Sequence, residues 1–218
     1  MILFLDVISP VPKFVLIDNN KVIESLHILN KNNSKVSNCL HNKFLTLQKK
    51  YNLLDLLECL IVCTGPGSYT SLRVGISFMF GLSYSMKIPL RGITCTELFS
   101  HFINVDEIDK TFIIICSGNN QYFSCFPIQN ENYNYKILKI DGKDSFENID
   151  LTLYSKCISN FNLPDFINKK VFSIIKKLEY INLEDKIHKK LFAFSNKIIN
   201  NKNVLQPIYI SNNRLFDY

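Results

Sequence analysis

The stretch TGPGSYTSLRVG, Thr64 to Gly75, sets two glycines between two apolar segments, with a proline and several hydroxyl side chains around them. Upstream, CLIVC (Cys59 to Cys63) predicts a buried strand; downstream, a long apolar segment predicts a helix from Thr70 to about Met86. Strand, glycine turn and helix together frame three kinds of enzymatic site, and spacing tests each one. A Walker loop needs a lysine after its second glycine, but positions five beyond Gly65 and Gly67 are Thr70 and Leu72. A dinucleotide fingerprint needs a third glycine where Thr70 stands. A nucleophile elbow needs glycines two before and two after its serine, where Ser68 has Pro66 and Thr70. All three fail.

What remains is geometry. Gly65 and Gly67 allow a tight turn and a close approach of backbone to a neighbour. Ser68 or Thr70 offers a helix cap, and the amides behind it suit an anion. Arg73 falls in the first turn, where a cation opposes the helix dipole by about 0.3–1 kcal/mol, a cost that an acidic partner offsets. These facts fit a plain strand-to-helix turn equally well. The helix itself says more. Leu72, Val74, Ile76, Phe78, Met79, Phe80, Leu82, Tyr84 and Met86 spread apolar surface around nearly its whole circumference, which predicts burial on more than one side. Ser77, Gly81 and Ser85, four apart, form a stripe of small residues that lets another helix come close.

Working outward, ILFL (Ile2 to Leu5), FVLI (Phe14 to Ile17) and Val22 to Ile28 read as three strands, with Asn19-Asn20 supplying the positive φ of a tight turn. NKNNS reads as a loop. Val36, Leu40, Phe44, Leu47 and Tyr51 then recur at helical spacing, predicting an amphipathic helix from Lys35 to Tyr51. Beyond the glycine motif, LRGI predicts a strand and Thr96 opens a helix to about Phe102. TFIIIC, YFSCF and YKILKI form a second three-strand meander, with SGNN as its first turn. LTLYSKC reads as another strand, Glu184 to Asn200 as an amphipathic helix, and LQPIYISNN as a short extended return. Two α/β halves follow, residues 1–103 and 104–218, repeated in element order and not in residue identity.

The 218 residues suffice for such halves, and 47% hydrophobic against 20% charged composition suits a soluble globular protein. The apolar start ends at Asp6, too short for a signal peptide or a membrane span, so a cytoplasmic location is expected. Seven cysteines with no C-x-x-C pair read as reduced, mostly buried small hydrophobes. His27, His41, His101 and His188 are scattered, and no metal site is expected. The net charge of +6 accompanies a composition rich in lysine, asparagine and isoleucine. The pairs Lys169-Lys170, Lys176-Lys177 and Lys189-Lys190 suit a solvated helical face better than a nucleic-acid surface.

From Thr64 to Leu98, TGPGSYTSLRVGISFMFGLSYSMKIPLRGITCTEL resembles the GRGPGSFTGLRIG…GLA…P…GVSTL segment of TsaB (YeaZ) proteins, which serve in making threonylcarbamoyladenosine in tRNA. LFLD near the start and PIYI near the end add weaker matches, and the resemblance thins beyond Asn104. It implies two actin-like lobes of the Hsp70 and sugar-kinase type, the second degenerate. It also implies a pseudo-enzyme subunit without catalytic residues or a cofactor of its own, ATP or ADP, where present, lying at the subunit interface. The implied partners are the catalytic TsaD, paired through the helices flanking the glycine motif, and the ATPase TsaE. The chain would dimerise with itself when alone and reach tRNA through the complex rather than directly. Carried onto this sequence, Asp6, Gly65, Gly67 and Ser68 correspond to vestigial phosphate turns. The partner surface is expected from Val36, Leu40, Phe44 and Leu47 on one helix and Arg73, Ser77, Gly81 and Ser85 on the other.

The departures from the family pattern fall on the phosphate turns. Val7 removes a hydroxyl from the first turn, CSGNNQYF lacks the acid and the arginine of the second, and Ser211 stands where a final arginine is usual. Each weakens nucleotide binding by this chain alone, and none touches the partner helix. The competing reading is a small phosphotransferase of the same superfamily, with Asp6 as its acid. A metal-dependent peptidase fails for want of clustered histidines.

Overall fold

The computed structural model describes residues 1–29, 35–117, 121–127, 135–140, 150–160, 171, 173, 178–180, 191, 205–208, 210–211 and 214–215. Apolar strand sequences build two five-stranded mixed sheets. The first contains β1 (Ile2–Asp6), β2 (Lys13–Asp18), β3 (Lys21–His27), β4 (Cys59–Cys63) and β5 (Leu90–Ile93), in the order β3-β2-β1-β4-β5. β1, β2 and β3 form an antiparallel meander, and β4 and β5 join parallel. The turn into β3 takes positive φ at Asn19 (46°) and Asn20 (62°), as its sequence requires.

The second sheet repeats this plan. β6 (Thr111–Ser117), β7 (Gln121–Pro127) and β8 (Tyr135–Ile140) form the meander, and β9 (Lys156–Ser159) and β10 (Leu178–Tyr180) join parallel, in the order β10-β9-β6-β7-β8. The repeat of element order read from the sequence is therefore a repeat of sheet topology. Near the C-terminus β11 (Ile210–Ser211) and β12 (Arg214–Leu215) pair with each other.

Helices α1 (Val36–Tyr51) and α3 (Tyr69–Met86) pack side by side against the first sheet; α2 (Leu53–Leu56) is a single turn behind α1. Val36, Leu40, Phe44 and Leu47, the apolar face of α1, are buried. The Phe44 ring lies 6.4 Å from Phe14 of β2 and 5.7 Å from Phe78 of α3, so three aromatic rings join sheet and helices. α4 (Cys95–Ser100) stands between the first sheet and β6. One continuous core runs from Leu3 and Leu60 through Leu98, Phe99 and Ile108 to Ile113, Ile115 and Phe123 of the second sheet. The alternate residues Phe112 and Ile114 point the other way, into a second cluster with Phe126, Leu151 and Cys157. β6 is thus buried on both faces, which explains its unbroken apolar run.

Local chemistry corrects the sequence reading at two places. α4 is capped by Thr94, whose hydroxyl accepts a hydrogen bond from Glu97 N–H at 3.0 Å, so the helix starts at Cys95 and ends at Ser100. LTLYSKC is not one strand. Asp150 accepts from Thr152 N–H, holding Leu151–Leu153 in a 3-10 turn, and β9 begins only at Lys156. The loop NKNNS, the turn SGNN beyond Ser117, the lysine pairs and the helix expected over residues 184–200 lie outside the described residues, apart from buried, helical Leu191.

Candidate functional site

The glycine turn sits at the C-terminal ends of β1, β4 and β5, where ligand clefts of open α/β sheets form. Here the chain fills that place itself. The Asp6 carboxylate, 2% exposed, accepts from Ile8 N–H at 2.8 Å and Ser9 N–H at 3.0 Å through Oδ1. The amides of the first turn are therefore occupied by the chain's own acid. The second Asp6 oxygen, Oδ2, is buried without a hydrogen-bond partner among the described residues. Val7 packs onto Gly75, where an added Cβ would lie 2.8 Å from its Cγ1. Ile8 packs onto Gly67 in the same way, at 3.0 Å. Gly67 and Gly75 thus receive hydrophobic side chains from the first turn.

The left-handed backbone expected of this turn falls on Gly65, at φ +129°, and not on Gly67. The Gly65–Pro66 peptide is cis. Over Gly65 runs the segment from Leu205 to Ile208, with Ile208 N–H donating to the Thr64 carbonyl at 2.8 Å. That is the extended return read from LQPIYISNN. An added Cβ on Gly65 would lie 2.8 Å from the Ile208 carbonyl oxygen. Gly65→Ala is therefore expected to lower stability by about 1–3 kcal/mol. Gly67→Ala, which has ordinary φ and only the Ile8 side chain to displace, should cost less. Urea denaturation of both variants checks the order; equal costs would show that Gly65 is not the constrained position.

Ser68 holds the N-cap position of α3 but makes no side-chain cap bond, contrary to its expected capping role. Arg73, one turn in, stacks on the Tyr69 ring at 3.7 Å from the centroid. The inward face of α3 carries Leu72, Gly75 and Met79. Its outward face carries Arg73, Ser77, Phe80, Gly81, Tyr84 and Ser85, all exposed. Phe80 is 58% exposed and Tyr84 82%. Beyond the helix's own backbone, no described residue lies within 4 Å of a Cβ built on Gly81, so none of them requires a glycine there. A glycine inside a helix costs about 1 kcal/mol relative to alanine.

The expected partner residues thus divide. Arg73, Ser77, Gly81 and Ser85 come together on one open face. Val36, Leu40, Phe44 and Leu47 do not: they are buried against the chain's own sheet, so assigning them to a partner surface is corrected. Periodicity marked the right face of α1 but not what covers it. Phe80 and Tyr84, which the sequence showed only as part of an apolar circumference, belong to the open face as well.

Asn160 was not singled out from the sequence. Its side chain accepts from Cys116 N–H at 2.9 Å and donates to the Cys116 carbonyl at 3.1 Å, closing the end of β6. Among the described residues, no group of His, Cys, Asp or Glu is arranged to hold a metal ion, and no helix is long and apolar enough to cross a membrane.

Residues 46–210 match the family model of TsaD, tRNA N6-adenosine threonylcarbamoyltransferase. The chain belongs to this family. Two solved structures share the fold of this TsaD-family chain over nearly its full length. YeaZ from Pseudomonas aeruginosa has 12% identity and a TM-score of 0.60, with 96% of this chain and 99% of that one covered. A protein with similarity to peptidase YeaZ, also from Pseudomonas aeruginosa, has 13% identity and a TM-score of 0.61, with the same coverage. The resemblance to TsaB (YeaZ) read from the glycine motif stands. No curated protein sequence matches the chain.

Proposed function

We propose that this chain is a non-catalytic subunit of the machinery that makes threonylcarbamoyladenosine in tRNA, in the manner of TsaB (YeaZ). It is built as two actin-like lobes, residues 1–103 and a divergent 104–218. It supports a catalytic TsaD subunit through the outer face of α3, with TsaE joining the assembly in the cytoplasm. tRNA is engaged through the complex, and the chain pairs with itself when TsaD is absent. Any ATP or ADP sits at the subunit interface.

The observation that carries this reading is the open face of α3. An exposed glycine that no described residue packs against lies beside two exposed aromatics, on a helix otherwise folded into the core. A partner helix seated there gives Gly81 a purpose and covers Phe80 and Tyr84. The absence of chemistry is supported by the filled turn, where Asp6 is committed to two backbone amides and Val7 and Ile8 occupy the glycines. That packing argues equally against a phosphotransferase with Asp6 as its acid.

The purified protein is expected to show no ATP hydrolysis and no threonylcarbamoyl transfer by itself. Asp6→Ala should instead lower its stability, by about 1–3 kcal/mol for each buried amide left without an acceptor. Turnover by the wild-type protein that disappears in Asp6→Ala would contradict the proposal.

A further inference from the structure

We propose that Cys63 and Cys95 form a redox-active pair, able to close a disulfide that encloses the glycine turn and α3. β4 ends at Cys63 and α4 begins at Cys95. Two backbone hydrogen bonds clamp these ends together, from Thr64 N–H to the Ile93 carbonyl at 2.8 Å and from Cys95 N–H to the Gly65 carbonyl at 2.8 Å. Cys63 lies opposite Ile93 in the parallel pair. Cys95, two residues further on, opens α4 directly beyond the end of β5. The result is a direct sulfur–sulfur contact of 3.4 Å between two buried thiols, which share one S–H hydrogen bond. A disulfide needs the sulfurs about 1.4 Å closer.

In the structure both cysteines are free. The hydrogen bond from Cys63, and then burial, hold the Cys95 thiol well above the ordinary cysteine range. Closure requires a small oxidant of the hydroperoxide class. The Cys63 sulfur, as its thiolate, attacks the peroxide oxygen, breaking the O–O bond and leaving a sulfenic acid and hydroxide, while Cys95 waits as the thiol. The second sulfur then displaces the sulfenic oxygen, forming the S–S bond; the thiol protons leave in the two waters. Two thiols and one hydrogen peroxide yield one disulfide and two waters, with two electrons passing from sulfur to peroxide. The link spans a sequence separation of 32, which includes the glycine turn, all of α3 and β5. It restricts the unfolded chain and so stabilises the oxidised form.

The test uses the full-length protein and hydrogen peroxide. After peroxide treatment the chain is unfolded in guanidinium with N-ethylmaleimide, digested and mapped by mass spectrometry, with half-buried Cys39 reporting oxidation of a more accessible thiol. The expected product is a Cys63–Cys95 disulfide, reversed by dithiothreitol, in a protein that melts at a higher temperature than its reduced form. Cys63→Ser and Cys95→Ser should abolish the product and Cys59→Ser should keep it; if the serine variants do not fold, wild-type mapping decides alone. Cys63 and Cys95 both alkylated after Cys39 is fully oxidised would overturn the proposal. So would a Cys95 linked to Cys125 instead.

Discussion

Phe44→Ala is expected to lower the unfolding free energy by about 3–5 kcal/mol, the usual cost of emptying a buried phenylalanine site. Its ring is 4% exposed and touches Phe14 and Phe78, so the truncation breaks the joint between the first sheet, α1 and α3. Urea denaturation provides the measurement. Binding to TsaD should then weaken only under conditions where the variant begins to unfold. Near-wild-type stability with binding lost would instead make the inner face of α1 the partner surface, and the burial seen here would not describe the free protein.

Gly81→Trp should behave in the opposite way. Outside its own helix backbone, no described residue stands within 4 Å of a Cβ at this position, so a side chain has room there and the helix loses a weakening glycine. Stability should stay at or slightly above wild type. Binding to TsaD should weaken by at least about 2 kcal/mol, roughly thirty-fold in Kd, if Gly81 is at the centre of the contact. Ser77→Arg, one turn earlier, should act in the same direction by placing an unpaired charge in the contact. Self-association, followed by sedimentation, should fall with it. A pairing of ordinary size covers about 800 Å² on each partner. A Gly81→Trp protein that is folded, binds TsaD and dimerises like wild type would make the open face of α3 plain surface.

The contrast between these variants marks what the sequence could and could not show. Helical spacing identified both helices and placed Phe44 and Gly81 on defined faces. It could not say which face meets the sheet and which meets solvent, because that depends on strands far away in the chain. The glycine motif was legible as a tight turn after a strand, but its left-handed residue was not. Gly65 takes that role because the segment ending at Ile208, near the other end of the chain, lies directly over it. The commitment of Asp6 to its own turn was equally out of reach, since a lone aspartate after a strand fits a phosphate site just as well. Some misses were readable. Thr94 and Glu97 have the spacing of a capping box, and Asp150 two residues before Thr152 signals a local turn. In both places short-range hydrogen bonding outweighed the apolar pattern.

TsaD binding should shield the outer face of α3. Hydroxyl-radical footprinting of Phe80 and Tyr84, in the free protein at low concentration and in its mixture with TsaD, tests it most directly. Both side chains should be readily labelled in the free chain and strongly protected on TsaD addition, while exposed Leu153, in the second half, keeps its labelling. Equal labelling of Phe80 and Tyr84 with and without bound TsaD would contradict the account.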